Sequence, residues 1–268
     1  MSLRPLIALA LLALLPPALA GTDPADASLA PEARGKAIAQ EAYRRDRGFG
    51  DEEATLTMVL SDARGRERTR QMRFRTLERD DDGDWMIAVF DDPADVRGTA
   101  SLTHSKALAP DDQWLYLPAT HRVRRIASNN KSTPFMGSEF SYEDLGPQDI
   151  SKYRFKWVRD EPLDGTAMHV LERIPKDPDS GYARQVVWMD QANLRLHKVA
   201  FYDRRDRLQK TLTAEGFTQH DGRYWRPLQL EMRNHQSGRS TTLRFEDYRF
   251  DVGLSARDFD ENRLANVR

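Results

Sequence analysis

The sequence predicts a mainly β protein: an antiparallel meander, curved into an open or partial barrel, behind one N-terminal helix. Three observations carry this reading. Short runs rich in β-branched, aromatic and aliphatic residues recur at hairpin spacing from Ala54 to Phe250. The breaks between them hold turn chemistry, as in Asp82-Gly83, Asp164-Gly165, Asp190-Gln191-Ala192-Asn193, Asp203–Asp206, Asp221-Gly222 and Ser237-Gly238. Within the runs, polar and apolar residues alternate: Met72 and Phe74 against Arg73 and Arg75, Leu228, Leu230 and Met232 against Gln229, Glu231 and Arg233, Leu243 and Phe245 against Arg244 and Glu246. Such strands have one wet face and one apolar face, and hairpin spacing leaves no room for βαβ crossovers.

The chain begins with MSLRPLIALALLALLPPALA over residues 1–20. A basic n-region with Arg4, an apolar run from Leu6 to Leu15 and the small-residue site Ala18-Leu19-Ala20 read as a secretory signal peptide, cut before Gly21. The apolar run is too short to span a bilayer. Residues 21–30 read as a flexible linker, and residues 31–268 as the folded domain. Pro31 suits the first turn of a helix and Glu32 its positive end. Ile38 and Ala42 then share a face, with Arg34 nearer the start, until Gly48 and Gly50 end the helix after Arg47.

Strands are predicted over Ala54–Leu60, Glu67–Leu77, Trp85–Phe90, Gly98–His104, Gln113–Leu117 and Arg122–Ile126. They resume over Tyr153–Asp160, Ala167–Arg173, Ala183–Asp190, Leu194–Tyr202, Leu208–Phe217, Tyr224–Asn234 and Ser240–Phe250. With many strands and few helices, one curved sheet must bury its apolar face on itself, on the N-terminal helix or on cargo. A two-sheet sandwich is the alternative. There is no clear internal repeat.

Composition narrows the setting. The chain has no cysteine, so it has no lipobox, thiolate metal site or disulfide, although an exported protein could form one. Export without a lipid anchor places it in the periplasm. Removing the leader removes one Arg and no acid, which takes the formal net charge from −1 to about −2 and argues against a nucleic-acid partner. Charged residues make up 31% of the chain, enough to solvate the outside of a folded domain.

Catalytic signatures are scarce. The histidines His104, His121, His169, His197, His220 and His235 are scattered and form no H-x-x-x-H pair. Asp80-Asp81-Asp82-Gly83-Asp84 lacks the bidentate Glu and the spacing of a calcium loop and reads as an exposed turn. There is no G-x-S-x-G, P-loop or G-x-G-x-x-G. Glu139, Glu143 and Asp144 either pair for acid–base work or cap a short helix. No catalytic residue, metal ligand or cofactor is assigned.

One stretch stands apart: Gln113–Leu145, QWLYLPATHRVRRIASNNKSTPFMGSEFSYEDL. It starts as a strand, passes Arg122, Arg124 and Arg125, and then carries Phe135, Met136, Phe140 and Tyr142 on a segment broken by Pro134 and Gly137. Apolar side chains on such a segment cover or bind something. The arginines are either a solvated strand face or a contact for an anionic head group or acidic partner. The dispersed methionines Met58, Met72, Met86, Met136, Met168, Met189 and Met232 either fill the core or form a pliable ligand lining.

Gln113–Leu145, together with Trp188-Met189-Asp190 and the strands after it, resembles the outer-membrane lipoprotein-sorting proteins, a family similar to the LolA/LolB carrier superfamily. The likeness runs from about Glu32 to Asn266. It implies a curved antiparallel sheet forming an incomplete barrel, with an N-terminal helix and short helices covering an apolar cavity. It also implies a carrier, not an enzyme, that shields acyl chains of a lipoprotein or lipid while moving them across the periplasm toward the outer membrane.

Met72, Phe74, Met86, Leu115, Leu117, Phe135, Met136, Phe140 and Tyr142 are then the expected cavity or lid residues. Arg122 and Arg124 are the expected head-group or partner contacts. Expected partners are the cargo, an inner-membrane transporter of RND type and, transiently, a membrane. Two rival functions are an adaptor that docks on an RND-type lipid exporter without carrying cargo, and an envelope-lipid hydrolase using Glu139, Glu143 or Asp144.

Overall fold

Two meanders meet at the middle of one sheet. The computed structural model describes residues 26–147 and 149–267, so the predicted leader at 1–20 and the first part of the linker lie outside the described residues. The first meander contains β1 (Asp51–Ser61), β2 (Glu67–Leu77), β3 (Trp85–Asp92), β4 (Ala100–His104), β5 (Asp112–Leu117) and β6 (Arg122–Ile126). The second contains β7 (Tyr153–Leu163), β8 (Thr166–Pro175), β9 (Tyr182–Asp190), β10 (Leu196–Asp203) and β11 (Leu208–Glu215). After a separate hairpin of β12 (Thr218–His220) and β13 (Tyr224–Arg226), it continues through β14 (Gln229–Asn234) and β15 (Ser240–Phe250).

The first and last strands join the two halves, β1 against β15 with Met58 opposite Leu243 and Leu56 opposite Phe245. The order is β6-β5-β4-β3-β2-β1-β15-β14-β11-β10-β9-β8-β7, with neighbours antiparallel. The outer strands β6 and β7 do not pair. The sheet is an incomplete barrel, as the sequence predicts.

Local chemistry makes the hairpins. Leu163 pairs with Thr166 across Asp164 and Gly165, whose φ values of 49° and 81° give the doubly left-handed turn that matches strand twist. Asp62 and Asp203 shape their own turns, each accepting from two backbone N–H groups, those of Arg64 and Arg66 and those of Arg205 and Arg207. The structure corrects one predicted strand. Tyr224–Asn234 breaks at Pro227-Leu228, because Pro227 has no N–H for a ladder, and the part before it pairs with β12 instead.

The alternation sets the faces. Leu56, Met58, Met72, Phe90, Val199, Phe201, Met232 and Leu243 point into the hollow of the sheet and form its main core. The opposite face of β3–β5 is covered by the C-terminal 3₁₀ segments Ala256–Phe259 and Glu261–Asn266, whose Phe259 and Leu264 pack on Ile87, Val89, Leu102 and Tyr116.

Helix α1 (Pro31–Asp46) lies on the second meander, with Ile38 against Leu171 and Leu194. Its Arg34 stacks 4.1 Å from the ring centre of Trp157 and donates to Asp160 at 2.9 Å. Gly35 makes this approach feasible: a Cβ there would sit 2.5 Å from the Trp157 amide nitrogen and 2.6 Å from the Lys156 carbonyl carbon.

Helix propensity favours Gly35→Ala by about 1 kcal/mol, whereas forcing an atom into close-packed backbone costs about 1–3 kcal/mol. The contact is with backbone on both sides and cannot turn away, so the clash should win. Urea unfolding is expected to show Gly35→Ala less stable than the native chain by roughly 1 kcal/mol or more. The exposed neighbour Lys36→Ala should stay within about 0.5 kcal/mol.

Candidate functional site

The chain linking the unpaired edges β6 and β7 runs through the hollow of the sheet. Thr133–Tyr142 folds back on itself: the Phe135 amide donates to the Phe140 carbonyl at 2.7 Å, and the Tyr142 amide donates to the Thr133 carbonyl at 3.3 Å. The turn needs left-handed backbone at Met136 (φ 49°) and Gly137 (φ 77°). A methionine there is costly and must be held from outside. Arg70 of β2 does so, donating from Nη1 to the Met136 carbonyl at 2.7 Å.

The second meander holds the other side of the tip. Thr241 Oγ1 accepts from the Glu139 amide at 3.0 Å, Asn234 Nδ2 donates to Glu139 Oε2 at 2.8 Å, and Lys210 Nζ donates to the Glu139 carbonyl at 3.0 Å. Phe135 stacks on Phe90 with ring centres 5.7 Å apart and meets Tyr142 edge-on at 5.3 Å. The segment is a packed plug.

Behind the plug lies a cavity of about 280 Å³. Phe74, Met86 and Phe140 form part of its wall, with Leu196, Val199, Phe201, Leu212, Leu230, Leu243 and Phe245 opposite and around them. It adjoins a second space of about 430 Å³ under α1, and Arg173, Leu196, Leu212 and Leu230 border both. A third space of about 360 Å³ opens toward Tyr43, Phe49 and Trp225, with Met86, Leu145 and Pro227 at the junction. The first two lobes are mainly apolar and match a small-molecule site in size and lining, whereas the third is bordered by Asp46, Arg47, Glu52, Asp84, Asp149 and Arg226.

The other expected site residues fall elsewhere. Met72, Leu115, Phe135 and Tyr142 are sealed in the core around the plug, while Leu117 and Met136 are partly buried against it. Arg122 and Arg124 are exposed on the edge strand β6 and line no wall of the cavity; Arg125 pairs with Asp112. Sequence reasoning missed the polar residues of the hollow, above all Arg173 and Lys210. A signal existed: each is a cation at an inward position, two residues from Leu171 and Leu212 respectively, and so breaks the apolar alternation of its strand.

Asp144 is the centre of the polar network. It follows Ser141, the cap of α2 (Tyr142–Leu145), and takes bonds from the Ser141 amide at 2.6 Å and hydroxyl at 2.7 Å. Tyr182 Oη donates to it at 2.8 Å and Lys210 Nζ at 2.6 Å, with both Asp144 and Lys210 side chains about 5% exposed or less. Burial, reinforced by Asp144, pushes the Tyr182 phenol well up. Burial also raises the Glu143 carboxyl, against the pull of the Ser180 hydroxyl and the Gly181 amide that donate to it. At the cavity mouth Arg226 pairs with Glu52 at 2.7 Å and Asp46 at 2.6 Å. The three carboxylates considered for acid–base work are thus each bound to structural partners. Among the described residues, no group of three or more His, Cys, Asp or Glu side chains is arranged to hold a metal.

Comparison with known proteins gives consistent results. A family model described as "Uncharacterized protein" matches residues 82–266. A domain from Vibrio parahaemolyticus, described as that of an outer membrane lipoprotein-sorting protein, is 51% identical, with 87% of this chain and 98% of that one covered and a TM-score of 0.85. A DUF1329 family protein from Desulfovibrio piger is 31% identical over 88% of this chain and 100% of its own, with a TM-score of 0.83. A LolA superfamily protein from Nitrosomonas europaea shares the fold at 21% identity, with 85% and 98% covered and a TM-score of 0.69. No curated protein matches the chain.

The buried groups make two predictions. Lys210→Met leaves Asp144 buried without its cation and should cost about 3–5 kcal/mol in urea unfolding, part of which Asp144→Leu in the same chain should restore. Glu143 holds its proton more tightly in the folded than in the unfolded chain. Its stabilising contribution is therefore complete below its ordinary value of 4.5 and is lost as pH rises through the higher folded value. Melting temperatures should show Glu143→Gln gaining on the native chain between about pH 4 and pH 8; a constant difference would place the raised carboxyl elsewhere.

Proposed function

The chain belongs to the outer membrane lipoprotein-sorting protein family, and on that footing we propose that residues 31–268 are a periplasmic carrier. It binds acyl chains of a lipoprotein or lipid in the cavity and moves them toward the outer membrane without altering them. The observation that carries the reading is the apolar cavity itself, walled by residues from both meanders and the plug. Each methylene taken from water is worth about 0.8 kcal/mol, so ten of them hold a chain by roughly 8 kcal/mol before entropy is counted. Shielding of that kind needs concave apolar surface and no catalytic group.

Release follows from competition: cargo leaves when a partner or membrane offers comparable burial. Arg122 and Arg124 support a docking role for the β6 edge. They are exposed on an unpaired strand and, among the described residues, form no ion pair within 4.0 Å. An inner-membrane transporter of RND type or an anionic bilayer surface is the proposed contact there.

Native mass spectrometry of the protein purified from periplasm should detect a bound lipid or lipoprotein, and empty protein that also fails to bind N-phenyl-1-naphthylamine would overturn the carrier reading. Ala54 is buried in the cavity wall opposite Phe74. Ala54→Phe should fill the space and weaken probe binding by about tenfold or more, with the melting temperature within about 5 °C of the native chain.

A further inference from the structure

Arg173 is the buried cation of the hollow that lacks a counter-charge. Lys210 has Asp144, Arg226 has Glu52 and Asp46, and Arg34 has Asp160. Arg173 is 8% exposed and, among the described residues, has no carboxylate within 4.0 Å. Its Nε donates to Gln185 Oε1 at 2.5 Å, and its guanidinium carbon lies 4.7 Å from the ring centre of Tyr153. The two terminal nitrogens make no hydrogen bond with any described residue, and the side chain borders both the main cavity and the lobe under α1. A guanidinium has five N–H donors in a planar fork suited to carboxylate and phosphate. Keeping one at this depth with a single bond made is costly unless something else completes it.

We infer that Arg173 is the anion anchor of the cavity and receives the carboxylate or phosphate of a free single-headed lipid, whose hydrocarbon lies along Phe201, Leu212 and Leu230. The carboxylates nearest this path leave the role open. Asp144 is neutralised by Lys210, Glu52 by Arg226, and Glu143 is held by Ser180 and Gly181. The inference rests on the carrier reading and narrows it. Acyl groups of a lipoprotein are bound as esters and amides and bring no charge to this depth, whereas an anionic lipid does.

The test measures binding of hexadecanoate, hexadecyl phosphate and uncharged hexadecanol to the full chain at about pH 8, in native protein, Arg173→Met and Arg173→Lys. The native chain should favour at least one of the two anions over hexadecanol by about tenfold or more, and the favoured head identifies the carboxylate or the phosphate as the natural one. Arg173→Met should abolish the preference and bind hexadecanol within about threefold of native, with no fall in melting temperature, since an unpaired buried charge has been removed. Arg173→Lys should keep part of the preference. An undiminished preference in Arg173→Met overturns the anchor and leaves the carrier reading intact, as does an equal loss of all three ligands in both variants, which marks a packing residue. If the native chain binds none of the three, the carrier reading itself fails.

Discussion

The buried contact between Asp144 and Lys210 ties the connection between the sheet's two edges to the sheet itself, and the shape of the hollow follows from that attachment. A strongly curved sheet that stops short of closure has an apolar concave face with too little of itself to bury it on. Here the chain leaving β6 enters the hollow, caps α2 with Ser141 and Asp144, and is held where Asp144 meets Lys210 and Tyr182. Phe135 is then pressed onto Phe90, while Phe140 is left to face the remaining space. The plug fills one part of the hollow and the cavity is what remains.

Charge placement obeys the same economy. Ions inside a fold are costly unless paired, and the hollow pairs Lys210 and Arg226 with carboxylates at 2.6–2.7 Å. On the outer face of β8–β10, cations lie over rings instead: Arg184 is 3.6 Å from the ring centre of Tyr202, and Lys198 is 4.7 Å from that of Trp188. These stacks shield Val170, Val186 and Ala200 without a further protein layer. Arg173 departs from the first pattern, since it lies over the Tyr153 ring but has no carboxylate partner among the described residues, and departures of this kind mark places where a fold can hold a charge for a ligand.

Family membership and geometry support the carrier reading from separate observations. The relatives establish the lineage and the incomplete barrel, while the wall of Phe74, Met86, Phe201 and Leu230 comes from this chain's own residues. Neither depends on a catalytic group.

Strand positions, faces and turns were legible in the sequence because they depend on neighbours. Period-two alternation puts Met72 and Phe74 on one side of β2, and Asp164-Gly165 turns the chain whatever surrounds it. Pro227 shows the limit, since breaking a ladder changes which strand is the partner. Which inward residues border open space was decided only in three dimensions. Phe135 and Phe140 are five residues apart on one broken segment and both are buried in the core, yet of the two Phe140 alone borders the cavity. The difference lies in contacts with β2, β3, β11 and β15, which are far away in sequence. The same holds for Arg173, whose missing partner is a property of everything around it and of no stretch of chain.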